Sequence, residues 1–188
     1  MSLDQLKMPE RPAPVVLQPA IEAERFKLRP LRRSDTGLLE HYTGDLRLAR
    51  MTTSIPHPLP PGATEAFIAR ATASERKEDI WALDASEHGG AEVLGVISLE
   101  RLDRNQSEVG YWIAPPFWNT GHASEAVQAL VSANPFGNDT IFASVFQDNP
   151  ASGRVLTNCG FEYIGDAEAF SVARNAKVPT WTYLRRMK

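Results

Sequence analysis

Two short segments combine a glycine, small residues and the start of a predicted helix, a pattern that can bind an anion. The first is WNTGHASEA at 118–126, and the second is NPASGRVLTNCGF at 149–161. The first turn of a helix has unpaired N–H groups and a partial positive charge, so either segment could hold a phosphate. Gly121 lets a ligand approach the backbone closely. The alternative for the first segment is a plain strand-to-helix turn with Thr120 as the N-cap residue.

The elements that must position these segments form a mixed α/β chain. Hydrophobic periodicity and helix punctuation predict the order β-α-α-β-β-β-α-β-α-β-β. Here 34–51 is counted as one helical stretch, although a second helical piece is predicted over 45–51. Four prolines predict an extended arm over 1–20, followed by one domain over 21–188. Each anion-binding segment follows a predicted strand, at 107–114 and at 140–146. Because α/β sheets bind ligands where helices follow strands, we expect both helix N-termini at one edge of the sheet.

Composition excludes several classes of protein. The chain has 188 residues, with 20 basic and 23 acidic side chains and a net charge of −3, a poor balance for a nucleic-acid binder. The basic segment at 24–33 is interpreted as a solvated strand face. No apolar run is long enough for a membrane span, and no signal peptide is recognised. Cys159 is the only cysteine, which excludes an intrachain disulfide and fits a cytoplasmic protein.

Four stretches of the sequence resemble the GNAT superfamily of N-acetyltransferases, most closely the branch with the ribosomal-protein N-terminal acetyltransferases. They are RFKLRPLRRSDTGLLEHY, LGVISLERL, EVGYWIAPPFWNTGHASEAV and NPASGRVLTNCGFEYIG, and the resemblance covers about residues 24–187. The acyl-CoA loop of the family, [QR]-x-x-G-x-[GA], corresponds to Trp118, Gly121 and Ala123, with Asn119 where a second glycine is usual. The second signature, N-x-x-[AS]-x-x-x-[YL]-x-x-x-G-F, corresponds to Asn149, Ser152, Leu156, Gly160 and Phe161.

The resemblance implies a GNAT-like acyl-CoA N-acyltransferase fold and acetyl-CoA as cosubstrate. The expected sheet is central, twisted, mostly antiparallel and flanked by helices, and it splays between the fourth and fifth predicted strands. Backbone groups of Ile113 and Ala114 would pair with pantetheine, and Asn149 would lie beside its arm. The pyrophosphate loop would consist of Trp118, Asn119, Thr120, Gly121, His122, Ala123 and Ser124.

Acetyl transfer to an amine needs a base, and Glu108 is the candidate because it lies on the strand expected beside the thioester. The alternative is an ordinary surface carboxylate, and Glu100 is a second choice. Ser152 is the candidate hydrogen-bond donor to the coenzyme sulfur, or simply a small residue in the first helical turn. Many relatives have a tyrosine acid where this chain has Leu156. Tyr111 is interpreted as a core residue.

The function predicted from the sequence is acetyl transfer from acetyl-CoA to a primary amine by direct attack in a ternary complex. The acceptor is a protein N-terminal α-amine or a small-molecule amine, in a cleft shaped by residues 34–60 and 166–180. The alternatives are a non-catalytic acyl-CoA sensor and an unrelated phosphate-binding domain. Four scattered histidines predict no metal site. No nucleic-acid or membrane partner is expected, and the chain is expected to be a monomer or a homodimer.

Overall fold

The computed structural model of this protein describes residues 17–188. Its helices and strands, in chain order, are β1 (Ile21–Glu22), β2 (Lys27–Pro30), α1 (Thr36–Thr43), α2 (Leu46–Ala49), α3 (Ala63–Thr72), β3 (Glu78–Asp84), β4 (Gly95–Arg101), β5 (Gln106–Ile113), α4 (His122–Ala133), β6 (Thr140–Phe146), α5 (Pro150–Asn158), β7 (Glu162–Ser171) and β8 (Ala176–Arg186). Short 3₁₀ turns precede α1 and follow β3 and β5.

The predicted order of elements is confirmed, with one difference. A two-residue strand, β1, precedes the first predicted strand. The second helical piece predicted over 45–51 is confirmed as α2, which is separate from α1 because the chain turns at Gly44 and Asp45. The Asp45 carboxylate then accepts a hydrogen bond from the Arg47 amide at 2.9 Å, which caps the new helix α2.

The strands of residues 17–188 form one sheet of eight, in the order β1-β2-β3-β4-β5-β6-β8-β7. Every neighbouring pair is antiparallel except β5 and β6. That parallel pairing runs only from Gln106 with Thr140 to Glu108 with Phe142. The two strands separate after Glu108, so the splay predicted between the fourth and fifth strands lies here.

Helices pack on both faces of the sheet. Because side chains alternate along a strand, β4 directs Ile97 and Leu99 to one face and Val96 to the other. Helices α4 and α5 cover the first face, which holds the larger apolar cluster, and α1 and α3 cover the second. Burying each leucine or isoleucine in these clusters contributes about 1.5–3 kcal/mol to folding. Within residues 17–188, no helix has the length and apolarity that crossing a bilayer requires.

Residues 17–20, at the start of the described chain, lie against the sheet. Residues 1–16 of the predicted arm lie outside the described residues. The Gln18 side chain donates to the Ile80 carbonyl at 2.8 Å, and the Trp81 indole donates to the Pro19 carbonyl at 2.7 Å. The described end of the arm is thereby attached to β3.

The basic segment at 24–33 is not uniformly solvated, which corrects the prediction from the sequence. Arg29 is 9% exposed and donates to Asp84 at 2.6 Å and to Asp35 at 2.7 Å. The two carboxylates compensate the burial of its charge, as a buried guanidinium requires. Arg25 also has a specific partner, which is described with the site.

Candidate active site

The loop at 118–121 leads from β5 towards α4, and two of its residues have a left-handed backbone. Asn119 has φ +60°, and Gly121, the N-cap residue of α4, has φ +79°. Asparagine tolerates this conformation better than most residues with a side chain. This explains how Asn119 replaces the second glycine that is usual in the family's loop.

The first turn of α4 presents backbone amides that no side chain of residues 17–188 caps. The first helical hydrogen bond runs from the Glu125 amide to the Gly121 carbonyl at 3.1 Å, after the amides of residues 122–124. The Thr120 hydroxyl hydrogen-bonds to the Phe117 carbonyl instead of capping the helix. The alternative of a turn capped by Thr120 is therefore wrong, and the uncapped amides can bind an anion.

His122, Ala123 and Ser124 form the first turn of α4 and are half-buried. The His122 imidazole hydrogen-bonds to the Thr120 hydroxyl, and its ring centroid lies 5.9 Å from that of Phe26. Side chains thus attach the loop and the helix start to each other and to Phe26, which directly precedes β2.

Trp118 contacts the strand end that was predicted to pair with pantetheine. Its indole donates to the Ile113 carbonyl at 2.6 Å, and the Arg47 guanidinium lies 5.7 Å from the indole centroid. The Ala114 amide donates to the Leu94 carbonyl at 2.9 Å. The Ile113 carbonyl therefore already accepts one hydrogen bond within the chain, and its second lone pair stays available.

Arg25 holds the loop against α4, although it lies 95 residues from Thr120 in sequence. Its amide and Nε donate to the Glu125 carboxylate at 2.7 and 2.6 Å, and Nη1 donates to the Thr120 carbonyl at 2.9 Å. Nη2 has no hydrogen-bond partner in residues 17–188 and would lie 3.4 Å from a Cβ added to Gly121. A half-exposed guanidinium therefore stands beside the uncapped amides, and sequence analysis missed it.

The start of α5 brings together two predicted site residues and one predicted core residue. Asn149 is the N-cap residue of α5, and its side-chain amide donates to Ser152 Oγ at 3.0 Å. Because that oxygen accepts from Asn149, the Ser152 hydroxyl hydrogen is left to donate elsewhere. Tyr111 Oη donates to the Ser152 carbonyl at 3.1 Å, and burial raises the pKa of Tyr111, so the phenol stays protonated. Tyr111 thus ties β5 to the first turn of α5.

The two predicted anion-binding helix starts lie apart. Cys159, at the end of α5, contacts the Ser124 carbonyl in the first turn of α4 at 3.4 Å. Asn149 lies at the opposite end of α5, about 15 Å away at 1.5 Å per residue. Leu156, in the position of the family's tyrosine acid, is fully buried between them. The arrangement suits an extended ligand with phosphates at α4 and its other end near Asn149.

A cavity of about 580 Å³ lies on the α1/α3 face of the sheet, where β5 and β6 separate. Its walls are formed by the loop after α2, by α3, and by β3, β4 and β5. The C-terminal end of β6 and the part of β8 that pairs with it complete the walls. Representative lining residues are Met51, Phe67, Ile80, Trp112, Phe146 and Thr180. The predicted acceptor cleft, at 34–60 and 166–180, corresponds to part of these walls.

Three glutamates form a row across the cavity, here called the carboxylate row: Glu78, Glu100 and Glu108. The strand register pairs Glu78 with Glu100 and Glu100 with Glu108, and all three line the cavity. Their carboxylates make no hydrogen bond or ion pair with any residue of 17–188. Burial, followed by the charges of Glu100 and Glu78, raises the pKa of Glu108. Glu108 is therefore a stronger base than an exposed glutamate, at the point where the strands separate.

Residues 25–162 match the family described as an acetyltransferase (GNAT) domain, which is more than half of the chain. The chain belongs to the GNAT acetyltransferases. The GNAT family predicted from the two signatures is thus confirmed, whereas the branch within the family stays a prediction.

Relatives of this GNAT chain agree with the assignment. The uncharacterized N-acetyltransferase YoaA of Bacillus subtilis (strain 168) is 38% identical over 78 residues, which are 39% of this chain and 44% of that protein. The chain therefore spans less than half the length of this relative.

Two solved structures show the same fold. The GNAT acetyltransferase from Bacillus anthracis has a TM-score of 0.73 at 22% identity, over 89% of this chain and 98% of that one. RimL, the ribosomal L7/L12 alpha-N-protein acetyltransferase solved with coenzyme A, has a TM-score of 0.75 at 18% identity, over 90% and 98%. The predicted mixed α/β GNAT fold is confirmed.

Proposed function

We propose that this GNAT protein transfers the acetyl group of acetyl-CoA to a primary amine, by direct attack in a ternary complex. The observation that carries the proposal is Glu108, a half-buried carboxylate of raised pKa with no partner in residues 17–188. It lines the cavity at the point where β5 and β6 separate. Membership of the GNAT family supports acetyl-CoA as the donor.

The donor would bind along α4 and towards the start of α5. In this proposal the amides of residues 119–124 hold the pyrophosphate, and the Arg25 guanidinium adds a positive charge beside them. Asn149 lies beside the pantetheine arm and orients Ser152, whose hydroxyl donates a hydrogen bond to the sulfur. The uncapped amides and the Asn149–Ser152 hydrogen bond support these roles.

The chemistry requires a neutral amine. Neutralising a lysine amine at pH 7 costs about 4.6 kcal/mol, and an α-amine only about 1 kcal/mol. Glu108 accepts the proton of the ammonium, directly or through a water molecule. The amine nitrogen then attacks the thioester carbon and the carbon–sulfur bond breaks. The second amine proton neutralises the coenzyme thiolate, so that an amide and free coenzyme A leave.

The carboxylate row favours acceptors that arrive as cations. An ammonium group entering the cavity meets Glu78, Glu100 and Glu108 before it is neutralised, and unlike charges attract at this range. A protein N-terminal α-amine and a small-molecule amine both satisfy this requirement. An anionic acceptor would be repelled by the same row.

The proposed function is tested by turnover against a panel of acceptors. The panel contains N-terminal peptides, lysine peptides, polyamines and aminoglycosides, with acetyl-CoA as donor. Thiol release measures the rate, and mass spectrometry locates the acetyl group. An acetylated amine is the expected result. Tight binding of acetyl-CoA without any product would instead favour the non-catalytic sensor.

Replacing Arg25 by alanine is expected to weaken binding of acetyl-CoA about 10-fold, or ~1.4 kcal/mol, because a positive charge beside the phosphates is lost. Calorimetric titration of coenzyme A measures the change, and the exposed Arg33 replaced by alanine is the matched control. Glu125→Gln removes the main partner of Arg25 but leaves the guanidinium. If Glu125→Gln weakened binding as much as Arg25→Ala, Arg25 would only hold the loop in place.

A further inference from the structure

Arg174, in the turn between β7 and β8, joins three segments of the chain around the cavity. Its Nε donates to the Arg50 carbonyl, just after α2, at 2.8 Å. Nη1 and Nη2 donate to the two carboxylate oxygens of Asp148, between β6 and α5, at 2.6 and 3.0 Å. The guanidinium also lies 5.0 Å from the centroid of the Phe146 ring. We call this set of contacts the Arg174 clasp.

The segments joined by the clasp are walls of the acceptor cavity. Met51 and Thr53 line the cavity on the α2 side, and Phe146 lines it at the end of β6. Beside the clasp, the Val172 amide donates to the Thr53 carbonyl at 3.0 Å, a backbone bond between the hairpin turn and the loop after α2. The turn and the loop therefore meet at two points.

The clasp also reaches the donor side of the site. Asp148 directly precedes Asn149, the N-cap residue of α5 that orients Ser152. A movement of Asp148 would displace Asn149 as well. One guanidinium thus contacts both the wall that faces the amine and the turn that leads into the proposed thioester site.

The chemistry of the clasp requires arginine. The planar guanidinium makes a two-point pair with a carboxylate and keeps a further N–H for the Arg50 carbonyl, whereas lysine is a point charge. The Arg174 side chain is 18% exposed. The hydrogen bonds from Arg174 hold the pKa of Asp148 below its usual range, so the pair stays ionised at neutral pH.

We propose that Arg174 is a positioning residue for acetyl transfer, which holds the acceptor wall of the cavity against the start of α5. The inference rests on the proposed function. Without the clasp, the loop at 50–53 and the turn at 172–175 separate, and the amine is no longer directed at the thioester. Positioning errors of about 1 Å can cost an enzyme up to ~100-fold in rate.

Arg174→Ala is expected to raise the KM for the acceptor amine about 10-fold and to lower kcat several-fold, because attack requires a fixed approach. The Kd for coenzyme A should stay within about twofold of the wild-type value, since the α4 amides are untouched. Arg174→Lys should recover only part of the acceptor KM. Arg186→Ala, at an exposed arginine on β8, is the matched control.

Hydrogen exchange of the full-length protein provides a readout independent of turnover. In Arg174→Ala the Val172 amide should lose protection, while the amides of α4 keep theirs. Unchanged protection of Val172 overturns the clasp, and lost protection with an unchanged acceptor KM overturns its positioning role. A parallel rise in the acceptor KM and the coenzyme A Kd would mean general loosening and also overturns it. Wild-type protein that acetylates no amine overturns the proposed function, a result distinct from these.

Discussion

Replacing Glu108 by glutamine is expected to lower kcat/KM for the amine about 100- to 1,000-fold, while the Kd for acetyl-CoA stays unchanged. Loss of a general base typically costs 10²–10⁴ in rate, and the lower part of that range applies to an α-amine acceptor, which is easily neutralised in water. Initial rates by thiol release and calorimetric titration of coenzyme A measure the two quantities. The substitution is nearly isosteric, so the cavity keeps its shape.

The pH dependence identifies the base. The raised pKa of Glu108 places the acidic limb of kcat/KM above the usual range of a glutamate, since the carboxylate must be ionised to act. Activity of the wild-type protein therefore rises as the pH increases through that pKa. Residual activity of Glu108→Gln should lack this limb and follow only the deprotonation of the amine.

The stability of Glu108→Gln separates a catalytic from a structural role. The folded protein retains the Glu108 proton to a higher pH than the unfolded chain, so the free energy of unfolding falls as the pH rises through the folded pKa. Glutamine has no charge to bury, so the variant is expected to have a higher Tm than wild type at pH 8 and a similar Tm at pH 4. A structural carboxylate would give the opposite result, a lower Tm at neutral pH.

Neighbouring glutamates on the same sheet serve as controls. Glu100→Gln and Glu78→Gln remove a charge from the carboxylate row but leave Glu108 in place. Each substitution is expected to lower the pKa of Glu108 that the acidic limb of the pH profile reports. Each should lower kcat/KM by less than about 10-fold. If Glu100→Gln abolished activity and Glu108→Gln did not, Glu100 would be the base and the assignment of Glu108 would be wrong.

Replacing Gly121 by aspartate is expected to weaken binding of coenzyme A about 100-fold. The new carboxylate would stand at the N-terminus of α4, where the pyrophosphate is proposed to bind, and repel it. Two like charges about 4 Å apart near a protein surface repel each other by about 4 kcal/mol. Screening by solvent and salt reduces this repulsion to roughly 2–3 kcal/mol. Calorimetric titration of coenzyme A measures the loss.

Gly62 provides a closely matched control. It is the N-cap residue of α3, and its φ of +78° is close to the +79° of Gly121. A Cβ added to Gly62 would have no atom within 4 Å. Gly62→Asp therefore introduces the same backbone strain and the same charge at another helix start. Its Kd for coenzyme A should equal that of the wild type. If both variants weakened coenzyme A binding equally, backbone strain would explain the weaker binding. The proposed pyrophosphate site at α4 would then have no support from this experiment.

Much of the candidate site could be predicted because its signals are local. The glycine and small residues at 118–126 identify a helix start, and Asn149 with Pro150 identifies another. Their spacing around one strand was sufficient to recognise the family. Glu108 was assigned by its position on a strand, but its exposure could not be read from the sequence. The structure shows it half-buried beside two like charges.

Other features depend on contacts that the local sequence pattern does not show. Thr120 has the residue type of a helix cap, yet its hydroxyl bonds to Phe117. Tyr111 packs against the core, as its pattern predicts, but its hydroxyl also bonds to the Ser152 carbonyl, 41 residues away. The local pattern places Arg25 on a solvated strand face, although it contacts the loop before α4. The bonds of Tyr111 and Arg25 are tertiary contacts, whereas the hydroxyl of Thr120 bonds within its own turn.

The sequence by itself determined the order of the elements, the family and the segments that begin α4 and α5, because periodicity and helix punctuation act over a few residues. Only the tertiary structure decided which side chains complete the site. The strand register aligned Glu78, Glu100 and Glu108, and folding brought Arg25 to the loop and Arg174 to the wall of the cavity. These contacts join segments as many as 124 residues apart, a separation that no local pattern encodes.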